Sequence, residues 1–373
     1  MQNSQDPQVS LLERMVEVYS PSGQEAEIAG LLVNEMAERG LGTELDEAGN
    51  AIGWYGETGP KFLLCGHMDT VPGKLPVRHV GNRLYGRGAV DAKPALAAMV
   101  SAAGVLAYER FPARIQVVGA VDEEGLGRGV KHVISGGVQA DYAVFGEPSG
   151  SDSITIAYRG SLHVRVICKT GGGHSSSPWL SRNAVDEAFN VWEELQRIHF
   201  PEERLESRFC STSSSIKEIH GGGTGSTIPS LCELHGDFRI PPKVSPKRLL
   251  TEVLRTVDSY SSTRSGVKVE VGAEDSTEPY EADTGSLLVR GLSWATREIL
   301  GRPAVLLRKT GTGDMNLLGA TTRIPVVTYG PGDSSLDHTS EEYIDLDEYR
   351  NSIEILCQGL RRTLQLHNRL GPS

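Results

Sequence analysis

The 373-residue chain is short of cysteine, of aromatic side chains and of positive charge, and it has no long hydrophobic run. Each shortage excludes something. The five cysteines, at positions 65, 168, 210, 232 and 357, are scattered and form no CxxC pair, so neither a disulfide scaffold nor a thiolate zinc finger fits. They read as reduced structural thiols, as expected of a cytoplasmic protein. Lysine and arginine number 37 against 48 aspartates and glutamates, a net charge of −11, which argues against a nucleic-acid partner. No window approaches the roughly 18 uncharged apolar residues that a membrane span needs. The polar stretch 1–9 lacks the apolar core of a secretion signal.

Glycine, by contrast, is abundant at 43 residues, much of it in short clusters beside polar residues. Such clusters suit loops whose backbone approaches a ligand closely. Length alone makes two domains the expectation. Residues 9–19 and 25–39 carry apolar positions at helical spacing. Residues 61–65, 114–121 and 141–145 read as buried strands, with an alanine-rich helix expected over 94–108. Strands alternating with helices imply an α/β class, with a mixed, largely parallel sheet flanked by helices. From residue 159 the order changes to β-α-β-β-α-β, the split pattern of ferredoxin-like domains. The expected division is a catalytic part over 1–158, an inserted α+β domain over 159–273 and a returning catalytic part over 274–373.

The polar residues fall where such a sheet puts its ligands, outside the carboxyl ends of the strands. His67 and Asp69 follow the first buried strand and, two apart, can face one site. Taken alone, that spacing also fits a buried histidine beside a solvated aspartate. Asp91 precedes the alanine-rich helix, where a carboxylate can simply cap it. Glu123 and Glu124 sit at the tip of the 114–121 strand, and Glu147 follows the 141–145 strand. His338 lies far along the chain, in Asp337-His338-Thr339. Together these residues suit a two-metal catalytic site, because carboxylates can bridge a pair of ions. Two divalent cations balance three ligand carboxylates and a hydroxide, which leaves the fourth carboxylate available as a base.

The motifs GHMDTVPG at 66–73, GRGAVDAK at 86–93, DEEG at 122–125, GEPSG at 146–150 and DHTSEEY at 337–343 resemble the di-zinc aminoacylase/carboxypeptidase family. That family includes acetylornithine deacetylase and succinyl-diaminopimelate desuccinylase, and the match runs in register along almost the whole chain. The resemblance implies that His67, Asp91 and Glu147 hold one Zn²⁺, and that Asp91, Glu124 and His338 hold the other, with Asp91 bridging. Asp69 would orient His67. Glu123 would be the general base that activates water and later protonates the leaving amine. His174, in a loop of the inserted domain, would cross a homodimer made through that domain and steady the tetrahedral oxyanion. Co²⁺ or Mn²⁺ could replace zinc in such a donor set. Arg159, Arg239, Thr312 and Gly313 are candidates for gripping the substrate. The chain departs from many relatives in placing Thr227, rather than asparagine, before Ile228-Pro229.

The loop 309–316 looks like the branch of the family that frees lysine or ornithine from a small acidic amino-group carrier protein. That branch cleaves a γ-glutamyl amide in lysine or arginine biosynthesis. N-acetylornithine deacetylation, succinyl-diaminopimelate desuccinylation and dipeptide or carboxypeptide hydrolysis are the alternatives within the family. A catalytically dead amino-acid-binding protein is the alternative outside enzymes.

Overall fold

The computed structural model describes residues 6–370. The chain folds as two compact units. The first comprises the chain through Ala157, Ala282–Arg308, and the chain from Leu317 on. The second comprises Tyr158–Glu281 and Lys309–Asn316.

The first unit is built on a mixed sheet. Its central strands Arg114–Ala120, Lys61–His67, Tyr142–Gly146 and Val326–Thr328 are neighbours in that order and parallel. Ala51–Tyr55 and Gly42–Leu45 add antiparallel at one side, and Ser153–Tyr158 at the other. The parallel core is apolar along its length, as a strand covered on both faces must be: Phe62, Leu63, Leu64, Cys65, Val117, Val118 and Val144 are all buried. The helix Lys93–Tyr108 buries almost every residue of its first three turns. Gly66 admits it, since a Cβ there would stand 3.3 Å from the Leu96 Cβ. No helix among the described residues is long and apolar enough to cross a membrane.

Part of the segment that precedes Asp91 is ordered as strand. Arg83–Tyr85 pairs with Arg78–Val80 on one side and with Tyr343–Asp345 on the other. This small sheet brings the far C-terminal motif beside the segment that leads to Asp91. The helix Arg128–Ser135, which follows the paired glutamates, was not anticipated. It is short and amphipathic and begins after Gly127 at φ 65°.

The second unit is a four-stranded antiparallel sheet in the order Ser213–Gly221, Leu231–Ile240, Gly160–Thr170, Val267–Thr277. Helices Ala184–Gln196 and Pro246–Ser262 are capped by Asn183 and Ser245. They pack through Val191, Trp192, Leu249, Val253 and Val257 onto Val164, Val166, Leu234 and Phe238. Trp192 lies over Gly236, where a Cβ would be 2.2 Å from the indole. This unit runs past the expected boundary at 273, because the last strand continues to Thr277 against Ser161. It also takes in Lys309–Asn316. Asn316 donates from Nδ2 to the carbonyls of Arg159 and Glu278, tying that later segment to the unit.

Candidate metal centre

The first unit gathers seven of the expected residues. His67 ends its strand, and its Nδ1 is 3.0 Å from the Asp69 carbonyl oxygen. A carbonyl can only accept, so Nδ1 carries the hydrogen and Nε2 is the nitrogen turned to the cluster. That Nε2 lies 3.1 Å from Asp91 Oδ1 and 3.9 Å from Glu147 Oε1. His338 Nε2 lies 3.0 Å from Asp91 Oδ2 and 2.8 Å from Glu124 Oε1. Asp91 therefore offers one oxygen to each histidine. Ligand atoms of His67, Asp91 and Glu124 lie within 4.8 Å of one another, and so do those of His67, Glu123 and Glu147.

Asp69 does more than face His67. Its carboxylate is fully buried and stands 3.6 Å from His67 Nδ1, farther than its own carbonyl. Its Oδ1 accepts from the Glu123 main-chain N–H at 3.1 Å. Its Oδ2 accepts from the Glu124 N–H at 3.1 Å and from Ser22 Oγ at 2.7 Å. The preceding residue, Asp122, adopts φ 63°, and its side chain accepts from Leu126 N and Arg128 Nε. The turn that presents the two glutamates is thus held from both ends.

The electrostatics are those of a crowded anionic pocket. Burial pushes Glu123 up, and the charges of Asp91 and Asp69 add to it against the pull of the histidines. Burial and the Asp91 charge take Glu124 up to about 7. Hydrogen bonding to Asp91 leads the rise of His338 to about 9. For His67, burial alone would lower the imidazole, but hydrogen bonds to Asp69 and Asp91 and the Glu147 charge raise it well above its ordinary value. Burial opposes ionisation of Asp91, yet its two imidazole partners hold it below the usual carboxylate range. Protons here do what cations could do better. Two imidazole nitrogens and several carboxylate oxygens without a thiol suit Zn²⁺, Co²⁺ or Mn²⁺, and a carboxylate shared between two nitrogen donors suits a bridge between two ions.

The profile of peptidase family M20/M25/M40 matches residues 63–362. The chain belongs to that family. It is, accordingly, a metal-dependent amidohydrolase. A relative from Thermococcus kodakarensis is 36% identical over 353 residues, 95% of this chain and 91% of its own. The LysW-lysine hydrolase of Deinococcus radiodurans is 32% identical over 359 residues, 94% of this chain and 96% of its own. Among solved structures, a Staphylococcus aureus tripeptidase superposes with a TM-score of 0.82 at 22% identity, covering 96% of this chain and 98% of that one. An M20 metallo-carboxypeptidase from Sulfolobus solfataricus gives 0.78 at 19% identity, covering 96% and 100%.

The remaining expected residues lie in the second unit. His174 stands exposed on a two-residue bridge, opposite Thr227. The Ser176 main-chain N–H donates to its Nδ1 at 3.2 Å, so the neutral ring carries its hydrogen on Nε2. Arg239 donates from Nε to Asp237 Oδ2 at 2.9 Å and from Nη1 to Thr312 Oγ1 at 3.4 Å. Gly313 N donates to Asn316 Oδ1 at 3.0 Å. Arg159, expected to grip a substrate carboxylate, is turned inward. Its Nε donates to the Thr310 carbonyl at 3.0 Å, and its Nη1 donates to those of Arg208 and Ser211 at 2.9 and 3.0 Å. It holds the loop that carries Thr312 and Gly313.

Sequence reading missed two residues of consequence, Arg87 and Glu342. Both lie inside motifs it singled out, but nothing in their spacing shows that they meet.

Proposed function

We propose that the chain hydrolyses the γ-glutamyl amide joining lysine or ornithine to a LysW-type amino-group carrier protein, releasing the free amino acid in lysine or arginine biosynthesis. The observation that carries this reading is Asp91, with one carboxylate oxygen on each of two histidines drawn from opposite ends of the chain. Similarity over nine-tenths of the chain to a LysW-lysine hydrolase supports the choice of substrate.

His67, Asp91 and Glu147 would hold one Zn²⁺, and Asp91, Glu124 and His338 would hold the other. A pair of such ions supplies Lewis acidity toward the amide carbonyl and makes water acidic near neutrality. Glu123, half-buried and with its pKa raised, takes the proton from the attacking water and returns it to the departing amine. Asp69 keeps His67 and the Glu123–Glu124 turn in register. The second unit supplies the homodimer contact, and His174 uses its Nε2–H to steady the oxyanion in the site of a partner protomer. Arg239, Thr312 and Gly313 bind the amino-acid end of the substrate. The reaction runs in the cytoplasm.

The test is a comparison of kcat/KM for carrier-bound lysine, carrier-bound ornithine, free γ-glutamyl-lysine and N-acetylornithine, using the zinc-loaded enzyme. A carrier adduct should be the best substrate. Equal rates on free γ-glutamyl-lysine would remove the carrier, and a preference for N-acetylornithine would reassign the enzyme within its family.

A further inference from the structure

Arg87 and Glu342 form a buried ion pair away from the cluster itself, with 9% and 1% of their surfaces exposed. Neither shows a hydrogen bond to a candidate metal ligand, although the Asp91 charge acts on Glu342. What they contact are the chain segments that carry the ligands. Arg87 Nε donates to the Gly73 carbonyl at 2.8 Å, on the loop that leaves His67 and Asp69. Its Nη1 donates to Glu342 and, at 3.1 Å, to the carbonyl of Thr339, the residue after His338. The Glu342 carboxylate in turn accepts from the main-chain N–H of Gly88 at 2.7 Å, three residues before Asp91. The Glu342 carbonyl accepts from Gly86 N at 3.3 Å.

The geometry points to Arg87 and Glu342 as positioning residues that clamp the loops bearing His67, Asp91 and His338 into one two-ion centre. His338 needs such a clamp. It sits at φ 64° and half exposed, in the turn that leaves the short 3₁₀ helix Ser334–Leu336. On its other side, the strand Tyr343–Asp345 begins only after Glu342. An arginine suits the task, because its planar fork can serve two carbonyls and a carboxylate at once. A carboxylate suits the other side, because a main-chain N–H and a guanidinium together satisfy both its oxygens. A buried ion pair of this kind adds little stability over an apolar pair of the same size, and groups behind metal ligands tune affinity strongly.

The inference rests on the two-metal reading, and the test separates the two. Metal-free wild type, Glu342→Gln and Arg87→Lys are titrated with Co²⁺, followed by calorimetry and by the visible absorption of the bound ion. Circular dichroism and thermal melting report the fold. Wild type should bind two equivalents. The folded variants should keep one tight equivalent and bind the other about 10- to 100-fold more weakly, with a changed absorption for the second. Glu342→Gln puts an amide donor against the guanidinium. Arg87→Lys keeps a cation beside Glu342 but cannot reach both carbonyls, so it carries the same readout if the first variant fails to fold. Wild type that binds fewer than two ions would remove the two-metal reading itself. Wild type and folded variants that bind two ions with equal affinity and the same spectra would overturn the clamp alone.

Discussion

The main-chain N–H of Glu123 points into the carboxylate of Asp69, 3.1 Å from Oδ1. The neighbouring N–H of Glu124 meets the other oxygen at the same distance. An aspartate at this place therefore sets where the proposed base and the proposed ligand stand, besides facing His67. An asparagine cannot reproduce this. One end of its amide would present hydrogens to a main-chain N–H, leaving that donor buried and unpaired. Asp69→Asn should lower kcat/KM by about 10- to 100-fold, with a smaller loss of bound zinc. Steady-state kinetics alongside elemental analysis of the purified variant would check this, and a variant with full activity would deny the turn its importance.

Glu123 is proposed to move a proton and not to hold the metals. Glu123→Gln keeps the size and the hydrogen-bonding reach of the side chain but cannot accept the proton. Loss of a general base removes about 10²- to 10⁴-fold in rate. The expected result is a protein with wild-type metal content and kcat reduced on that scale. Loss of an ion together with activity would make Glu123 a ligand instead.

The pKa directions around the cluster fix the sign of a pH effect. Without metal, Glu124 at about 7 and His338 at about 9 hold protons at neutrality. A metal ion must displace them, so apparent affinity should rise with pH between 6 and 9, and binding should release more than one proton. Both groups are raised relative to their ordinary values. The stability they give the metal-free chain is therefore present below those ordinary values; the Glu124 share is lost as the pH rises through about 7 and the His338 share as it rises through about 9. Calorimetry in two buffers of different ionisation enthalpy counts the protons. Melting of the metal-free protein across the same range shows the loss. A chelator should abolish turnover, and added Zn²⁺ should restore it.

That these residues would gather was legible in the sequence because each obeys a local rule. His67, Glu123, Glu124 and Glu147 each follow a buried parallel strand, and the ends of such strands converge by topology. Asp91 announces itself before a helix rich in alanine. The second unit was legible too, since alternation and helix spacing changed at residue 159. What escaped depended on tertiary contacts between distant segments. Arg83–Tyr85 pairs with the adjacent Arg78–Val80 and also with the distant Tyr343–Asp345, and no local pattern shows the second pairing. The segment Lys309–Asn316 joins the second unit through Arg159 and Asn316, a bond pattern with no signature in spacing. Arg159 is a candidate for gripping the substrate in the sequence, where its part in holding the 309–316 loop does not show. Its three carbonyl partners become visible only in the fold.

His174 provides a test of the proposed homodimer. Its Nε2–H is free to donate once Nδ1 has accepted from Ser176. If the donor serves a neighbouring protomer, His174→Ala and Glu123→Gln chains are each inactive alone yet complementary. Random exchange of protomers makes half the dimers mixed, with one intact site in each, so about a quarter of wild-type activity should return. No recovery after exchange shown by mass spectrometry of the dimers would confine His174 to its own chain.

Arg159 and Arg239 are expected to fail in opposite ways when truncated. Arg159→Met keeps the length of the side chain but leaves the carbonyls of Thr310, Arg208 and Ser211 without their donor. Arg208 and Thr310 are exposed and Ser211 is half-buried, so water can take over part of the lost donor, and a loss of about 1 kcal/mol should appear in urea unfolding of the metal-loaded protein. Arg239 has fewer partners, keeps about a third of its side chain exposed, and holds Thr312 only loosely at 3.4 Å. Arg239→Met should leave unfolding nearly unchanged and raise KM by roughly 10- to 100-fold, the cost of a lost charge-assisted hydrogen bond to substrate. Reversed outcomes, with a stable Arg159 variant that binds substrate poorly and an unstable Arg239 variant with normal KM, would exchange the two assignments.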